Sequence, residues 1–313
     1  MKTPLLLVIA VILSLGVTSC RKVYFSDGKQ VEEYREIEVQ INQSGSFIII
    51  EASWAEEVSF LKKGMYGIKR SFGSGQRVKV DLTIWLPDGL DIEVLNKFGD
   101  VYFTNYTGEL DVEVSHGDLR ANNLPNPNRI KVEYGKVKLG QIGNGKLDIS
   151  YSESVRIDEA QDIFIKSNSS DIEIEDVLSL QLDSRNDDLR IEKAGKVTGT
   201  TFLTDIRLQE LATSMDVNCR MGELRMRSIN ASCRSLKIRS SGTDLMLDFA
   251  LDFQGSFDVD LENVRDWSCV ITGLVITDEN VDDHDRTMLA TKEENTGNTV
   301  QLTVKNAAVR IGV

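Results

Sequence analysis

The sequence predicts an all-β protein, a parallel β-helix or solenoid with coils of about 17 to 18 residues and an N-terminal β cap. A short turn followed by an alternating strand recurs nine times, as FGDVYF, HGDLRA, YGKVKL, SESVRI, SSDIEI, NDDLRI, LTDIRL, MGELRM and GTDLML. Its turn residue falls at Asp100, Asp118, Lys136, Ser154, Asp171, Asp188, Asp205, Glu223 and Asp244, at spacings of 18, 18, 18, 17, 17, 17, 18 and 21. Independent hairpins would drift in length, so a period this steady marks a stack of equal units. Within each unit apolar and charged residues alternate with period two, which puts one strand face inside and one in water.

Aligning the units on the turn residue exposes the inward columns. One residue after it stand Val101, Leu119, Val137, Val155, Ile172, Leu189, Ile206, Leu224 and Leu245; three after it stand Phe103, Ala121, Leu139, Ile157, Ile174, Ile191, Leu208, Met226 and Leu247. Six before it stand Val94, Val112, Ile130, Ile165, Leu182, Gly199, Val217 and Ile238, with Ile149 one residue out of register beside the longer turn Tyr151-Ser152-Glu153-Ser154. Four before it the column changes from Asn96, Val114 and Val132 to Ser167, Ser184, Thr201, Cys219 and Ser240, small residues expected to bond one another or nearby carbonyls at a tight corner. A coil's inward side chains, at roughly 1.5 to 2 kcal/mol each, do not outweigh ordering its backbone at roughly 1 kcal/mol per residue. Stability therefore requires stacking. Left-handed hexapeptide helices repeat their inward aliphatics every six residues, whereas these columns fall at −6, +1 and +3, which favours the right-handed form.

The ends read differently. Residues 36–90 (REIEVQINQ, SFIIIEA, RVKVDLTIWLP) alternate without the repeat and are expected to cap the first coil's open edge. The repeats occupy 91–261. Residues 262–298 are expected to be an irregular segment carrying an acidic loop, TDENVDDHDRTMLATKEENTGN. Residues 299–313 return as a final coil, with Val300, Leu302, Val304, Val309 and Ile311 in the columns and Ala308 at the turn.

Residues 1–19 have one cation at Lys2, an apolar run from Leu5 to Val17 and small residues before Cys20, the layout of a cleaved secretory signal peptide. The run is too short to span a membrane as a helix. Val17-Thr18-Ser19-Cys20 resembles a bacterial lipobox, which makes Cys20 the acylated first residue of the mature chain and 20–35 a lipidated tether. Two acyl chains anchor stably where one is marginal. The chain carries 49 acidic against 36 basic residues, a net charge of −13 that repels phosphate backbones, so nucleic acid is not an expected partner. Two histidines leave little for His catalysis or a multi-His metal site. Cys219, Cys233 and Cys269 cannot all pair within one monomer.

The stretch LPDGLDIEVLNKFGDVYF, followed by SHGDLRA and the recurring units, resembles the DUF4097 family of β-strand-repeat, adhesin-like proteins over about residues 76–311. The resemblance implies a lipoprotein of the Bacteroidetes type in the outer membrane, and it carries over no catalytic residue. Surface-exported lipoproteins of that group carry acidic residues after the Cys, whereas Arg21-Lys22 follow here, so the periplasmic face is favoured. The chain departs from the pattern at Lys136 and Ser154 in the turn column and in its late loop.

The acidic turn column could suggest calcium, but six to eight oxygens are needed, and Asp in a tight turn accepts backbone hydrogen bonds, with Gly99, Gly117, Gly135 and Gly222 giving the backbone freedom. His284, within Asp282-Asp283-His284-Asp285, reads as part of a hydrated loop. The expectation is a non-enzymatic, lipid-anchored scaffold without cofactor or metal, binding an extended glycan or envelope protein. Its ladder of Glu113, Arg120, Lys138, Arg156, Glu173, Arg190, Arg207 and Arg225 would make contacts that weaken with salt. The alternative is a polysaccharide-active β-helix enzyme.

Overall fold

The computed structural model describes residues 84, 89–292 and 297–313 with their side chains, and before them the backbone of five strands. These are β1 (Leu7–Ile12), β2 (Val23–Phe25), β3 (Ile37–Ser44), β4 (Phe47–Trp54) and β5 (Val80–Leu82). β3 and β4 form an antiparallel hairpin, and β2 pairs with β5 in a separate small sheet. The repeat begins with β6 (Asp91–Asn96), and β1 lies antiparallel between it and β4. The hairpin expected to cap the first coil thus reaches it through residues expected to leave with a signal peptide. Were 1–19 cleaved, the β6 edge would need another strand. Cys20 lies outside the described residues.

The repeats form stacked parallel coils. In chain order follow β7 (Val101–Asn105), β8 (Leu110–Ser115), β9 (Leu119–Leu124), β10 (Asn128–Glu133), β11 (Val137–Ser150), β12 (Val155–Asn168), β13 (Asp171–Arg185), β14 (Asp188–Ile229) and β15 (Ser235–Phe249). The later strands run unbroken through coil corners because each residue's partner lies one coil away and not across a hairpin. Leu119 faces Val137, Val137 faces Val155, Val155 faces Ile172 and Ile172 faces Leu189 in successive parallel registers. No helix occurs among the described residues.

The aliphatic columns are the core. Ile157, Ile174 and Ile191 align coil to coil and are buried, whereas Arg190 beside them is exposed. In the first coil Val101 and Phe103 are only partly buried, since it has a neighbour on one side of those strands alone. Ile149 does not fill the column six before the turn. Leu147 does, opposite Ile130 and Ile165, and Ile149 fills the inner position opposite Val132 and Ser167. The extra turn residue displaces the numbering by one, so the inward pair shifts together.

The C-terminal end differs most from the reading of the sequence. It comprises β16 (Gly255–Glu262), β17 (Asp266–Cys269), β18 (Leu274–Asp282), β19 (Asp285–Lys292), β20 (Thr299–Lys305) and β21 (Ala308–Gly312). The stretch expected as an irregular acidic loop is largely an antiparallel hairpin, β18–β19, whose second strand pairs antiparallel with β16 and closes that edge. The alternation was invisible because β18 is wet on both faces, with Val275, Ile276 and Val281 exposed, while β19 turns Met288, Ala290 and Lys292 inward. Lys292 donates from Nζ to the Leu251 carbonyl at 2.6 Å. The final coil also has an unexpected place. β20 pairs in parallel with both β15 and β16, and β21 with both β15 and β17. The last segment of the chain is therefore inserted between two coils that precede it.

Candidate functional site

One corner recurs through the stack and carries the features of most chemical interest. Just before the turn residue, His116, Tyr134, Tyr151, Ser169, Asn186, Leu203 and Met221 adopt left-handed backbone conformations, with φ between 53° and 58°. Glycine enters this region freely and Asn, Asp and His more readily than other residues, whereas Tyr, Leu and Met are strained there. The conformation is held from outside the residue, because each amide in the run His116, Tyr134, Tyr151, Ser169 and Asn186 donates to a carbonyl of the next coil, at 2.8 to 3.1 Å. Freedom of rotation is thus not what Gly117 and Gly135 supply. A Cβ on them would lie 1.7 Å from the Gly99 carbonyl oxygen and 1.8 Å from that of Gly117, so close coil approach is what requires glycine there. At Gly99 and Gly222 the left-handed conformation itself falls on glycine.

Outside this corner the first coils present aromatic rings. Phe98 stacks on His116 at 5.5 Å, His116 on Tyr134 at 4.9 Å and Tyr134 on Tyr151 at 4.9 Å, with interplanar angles of 9°, 11° and 7°. The spacing is that of neighbouring strands, so the backbone ladder dictates the stack. The rings remain in water: Phe98 is 40%, Tyr134 52% and Tyr151 49% exposed. One column along, Tyr102 is exposed beneath the Arg120 guanidinium and donates to Asp100 at 3.0 Å, which raises the pKa of its phenol.

Inside the same corner, later coils place a buried carboxylate. Asp187 accepts from Ser167 Oγ at 2.6 Å, Ser184 Oγ at 2.5 Å, the Ser170 amide at 2.7 Å and the Arg185 amide at 3.0 Å. Ser184 also meets Thr204 Oγ1 at 3.1 Å. The hydroxyl column is buried as its pattern implies, but the group that organises it was not foreseen. Asp187 sits between Asn186 and Asp188 and reads as one more turn acid. A signal was present: the residue before the turn acid is small or polar in Gly117, Gly135, Ser170, Asp187, Thr204 and Thr243, a column in its own right.

The turn acids act on the backbone. Asp100 accepts the Asp118 amide at 2.9 Å and Asp118 the Lys136 amide at 3.0 Å. Most of the charged ladder is ion-paired, partly within a coil and partly across coils. Arg156 bonds Asp158, Glu173 and Glu175; Arg190 bonds Asp171 and Asp188; Arg207 reaches Asp188 at 2.8 Å and Arg225 reaches Glu223 at 2.6 Å. Glu113 holds Lys131 at 3.1 Å and raises its pKa. Burial pushes the Cys233 thiol up to about 11 and also raises Cys219, and Cys219, Cys233 and Cys269 are all free.

At the C-terminal end, Asp260, Glu262, Asn280, Asp282, Asp285, Arg286 and Thr287 line a shallow concavity of about 250 Å³. His284 is exposed at the hairpin tip, its Nδ1 3.2 Å from Asp283 Oδ1. Among the described residues no three His, Cys, Asp or Glu side chains converge as metal ligands would. Comparison of the chain with known families, characterised proteins and solved structures finds no match.

Proposed function

We propose that the chain is a non-enzymatic, adhesin-like scaffold of the cell envelope, anchored through a lipid on Cys20, that binds an extended glycan or envelope protein without a cofactor. One observation carries the reading: coil after coil presents the same exposed positions, one strand spacing apart, so a ligand that is itself repetitive gains a contact per coil. The resemblance of residues 76–311 to the DUF4097 proteins and the lipobox-like Val17–Cys20 support the envelope setting. The cross-coil ion pairs mean that a ligand bound through the charged ladder would have to displace them.

The test uses, as the soluble chain, the full chain carrying Cys20→Ser, which keeps β1 and removes the acylation site. Co-sedimentation with peptidoglycan sacculi and insoluble glycans should show binding, and assay of the same glycans should show no release of reducing ends. Released oligosaccharide would favour the polysaccharide-active enzyme instead. For the anchor, Cys20→Ser should abolish acylation and shift the protein from the membrane to the soluble fraction. Slow protease digestion on intact cells, with rapid digestion after lysis, is expected for the periplasmic face of the outer membrane.

A further inference from the structure

We propose that Phe98, His116, Tyr134 and Tyr151 form a ligand-binding strip, and that its ligand is an uncharged β-linked polysaccharide lying along the rod axis. This rests on the reading of the chain as a polymer-binding scaffold and names the face and the class of polymer.

Local stability does not account for the rings. Asn186 occupies the equivalent corner at φ 56°, where Asn is favoured, yet His116, Tyr134 and Tyr151 hold φ 55° to 57° in three consecutive coils. A left-handed backbone strains a tyrosine where it would not strain Asn, so stacking must first offset that strain before it can add stability. The rings are not used to fill the core either, since half the Tyr134 and Tyr151 surface stays exposed. What the stack does achieve is a row of amphipathic groups fixed before any ligand arrives, the arrangement in which aromatic side chains bind at low entropic cost.

Spacing and charge select the polymer. The strip repeats every 4.9 to 5.5 Å along the rod. An extended peptide advances about 3.3 Å per residue, so its residues cannot meet the rings one for one. A stacked nucleic acid strand, at about 3.4 Å per nucleotide, cannot either, and its phosphates would be repelled by a chain of net charge −13. A pyranose linked through equatorial bonds advances by one ring and one oxygen, close to the coil spacing. Each unit offers an apolar C–H face and hydroxyls, matching a ring and a phenol. Three carboxylates near the strip are engaged within the protein: Asp118 by the Lys136 amide, Asp100 by Tyr102 and the Asp118 amide, and Glu133 by Lys131 at 3.4 Å.

The test replaces the rings by the residue the fold itself uses at this corner. The soluble chain and its His116→Asn/Tyr134→Asn/Tyr151→Asn variant, with matched melting curves, are titrated with cello- and chito-oligosaccharides and with α-linked malto-oligosaccharides at low and high salt. The expected result is β-linked binding that ignores salt, falls at least about tenfold in the variant, and is absent for the α-linked series. Equal binding by the variant overturns the strip and leaves the scaffold reading intact. Binding that is lost with salt moves the face to the charged ladder. Absence of β-glycan binding, with retained binding to sacculi, overturns this ligand class while the scaffold stands; failure on both removes the scaffold reading too. A wild-type dimer that the variant dissociates assigns the strip to a second copy of the chain, and overturns the proposal.

Discussion

The corner over coils 98–151 and the corner over coils 167–205 share one backbone path and are held in opposite ways. In the first, glycine at Gly117 and Gly135 brings the coils into backbone contact, and the rings stack outside on the surface. In the second, Asp187 and its four donors tie the coils together from inside, while outside Asn186 donates to Ser169 at 3.1 Å. The difference teaches where a solenoid can carry function. A corner wired internally has no need of its surface, whereas a corner closed by glycine contact and faced with exposed rings offers that surface to a ligand.

A third version of the corner lies at Asn306-Ala307-Ala308, where left-handed Asn306 is followed by a buried apolar Ala307. Removing residues 299–313 should have the largest effect of all, because Val300, Leu302, Val304, Val309 and Ile311 are buried and each contributes roughly 1.5–2 kcal/mol. Two parallel edges would also face each other unpaired. Urea denaturation should show loss of the C-terminal coils, and a peptide of residues 299–313 added in trans should restore them. Asp187→Ala should cost about 3–5 kcal/mol, because it strands two buried hydroxyls and two amides; an unchanged urea midpoint would abolish the contrast between the corners. Gly117→Ala should cost about 2–3 kcal/mol by forcing the coils apart, and a neutral result would show that the close approach is not needed. Tyr134→Asn should change stability by less than about 1 kcal/mol, the lost stacking offset by relieved backbone strain. A larger loss would mean that the rings serve mainly to hold the corner.

Much of this was legible because it is written locally and repeatedly. The columns through Ile174 and Ile191, the exposed Arg190 between them and the turn Asp residues follow from period two and a steady spacing. Asp187 is legible only as a member of the small or polar column before the turn; its inward direction depends on the left-handed residue before it, which no composition rule places on His116 or Tyr134. The aromatic strip was hidden for a related reason. Phe98, His116, Tyr134 and Tyr151 are 17 or 18 residues apart and become neighbours only once the coils stack.

By itself the sequence determined that the chain is a solenoid, how long a coil is and which residues face inward, because each coil repeats one local pattern that only stacking can satisfy. Only the tertiary structure decided which coils become neighbours at the end. Every coil offers the same apolar columns, so the pattern of residues 299–313 fits any open edge equally well. The far edge of β16 is covered by β19, an antiparallel strand encoded by wet, weakly alternating residues. With that edge closed, the last segment pairs on both sides in the gap between β15 and the coil of β16 and β17, where Asp244 accepts the Ala308 amide, Asn306 accepts from Asn263 and Lys305 donates to Glu262, contacts that the column pattern does not specify.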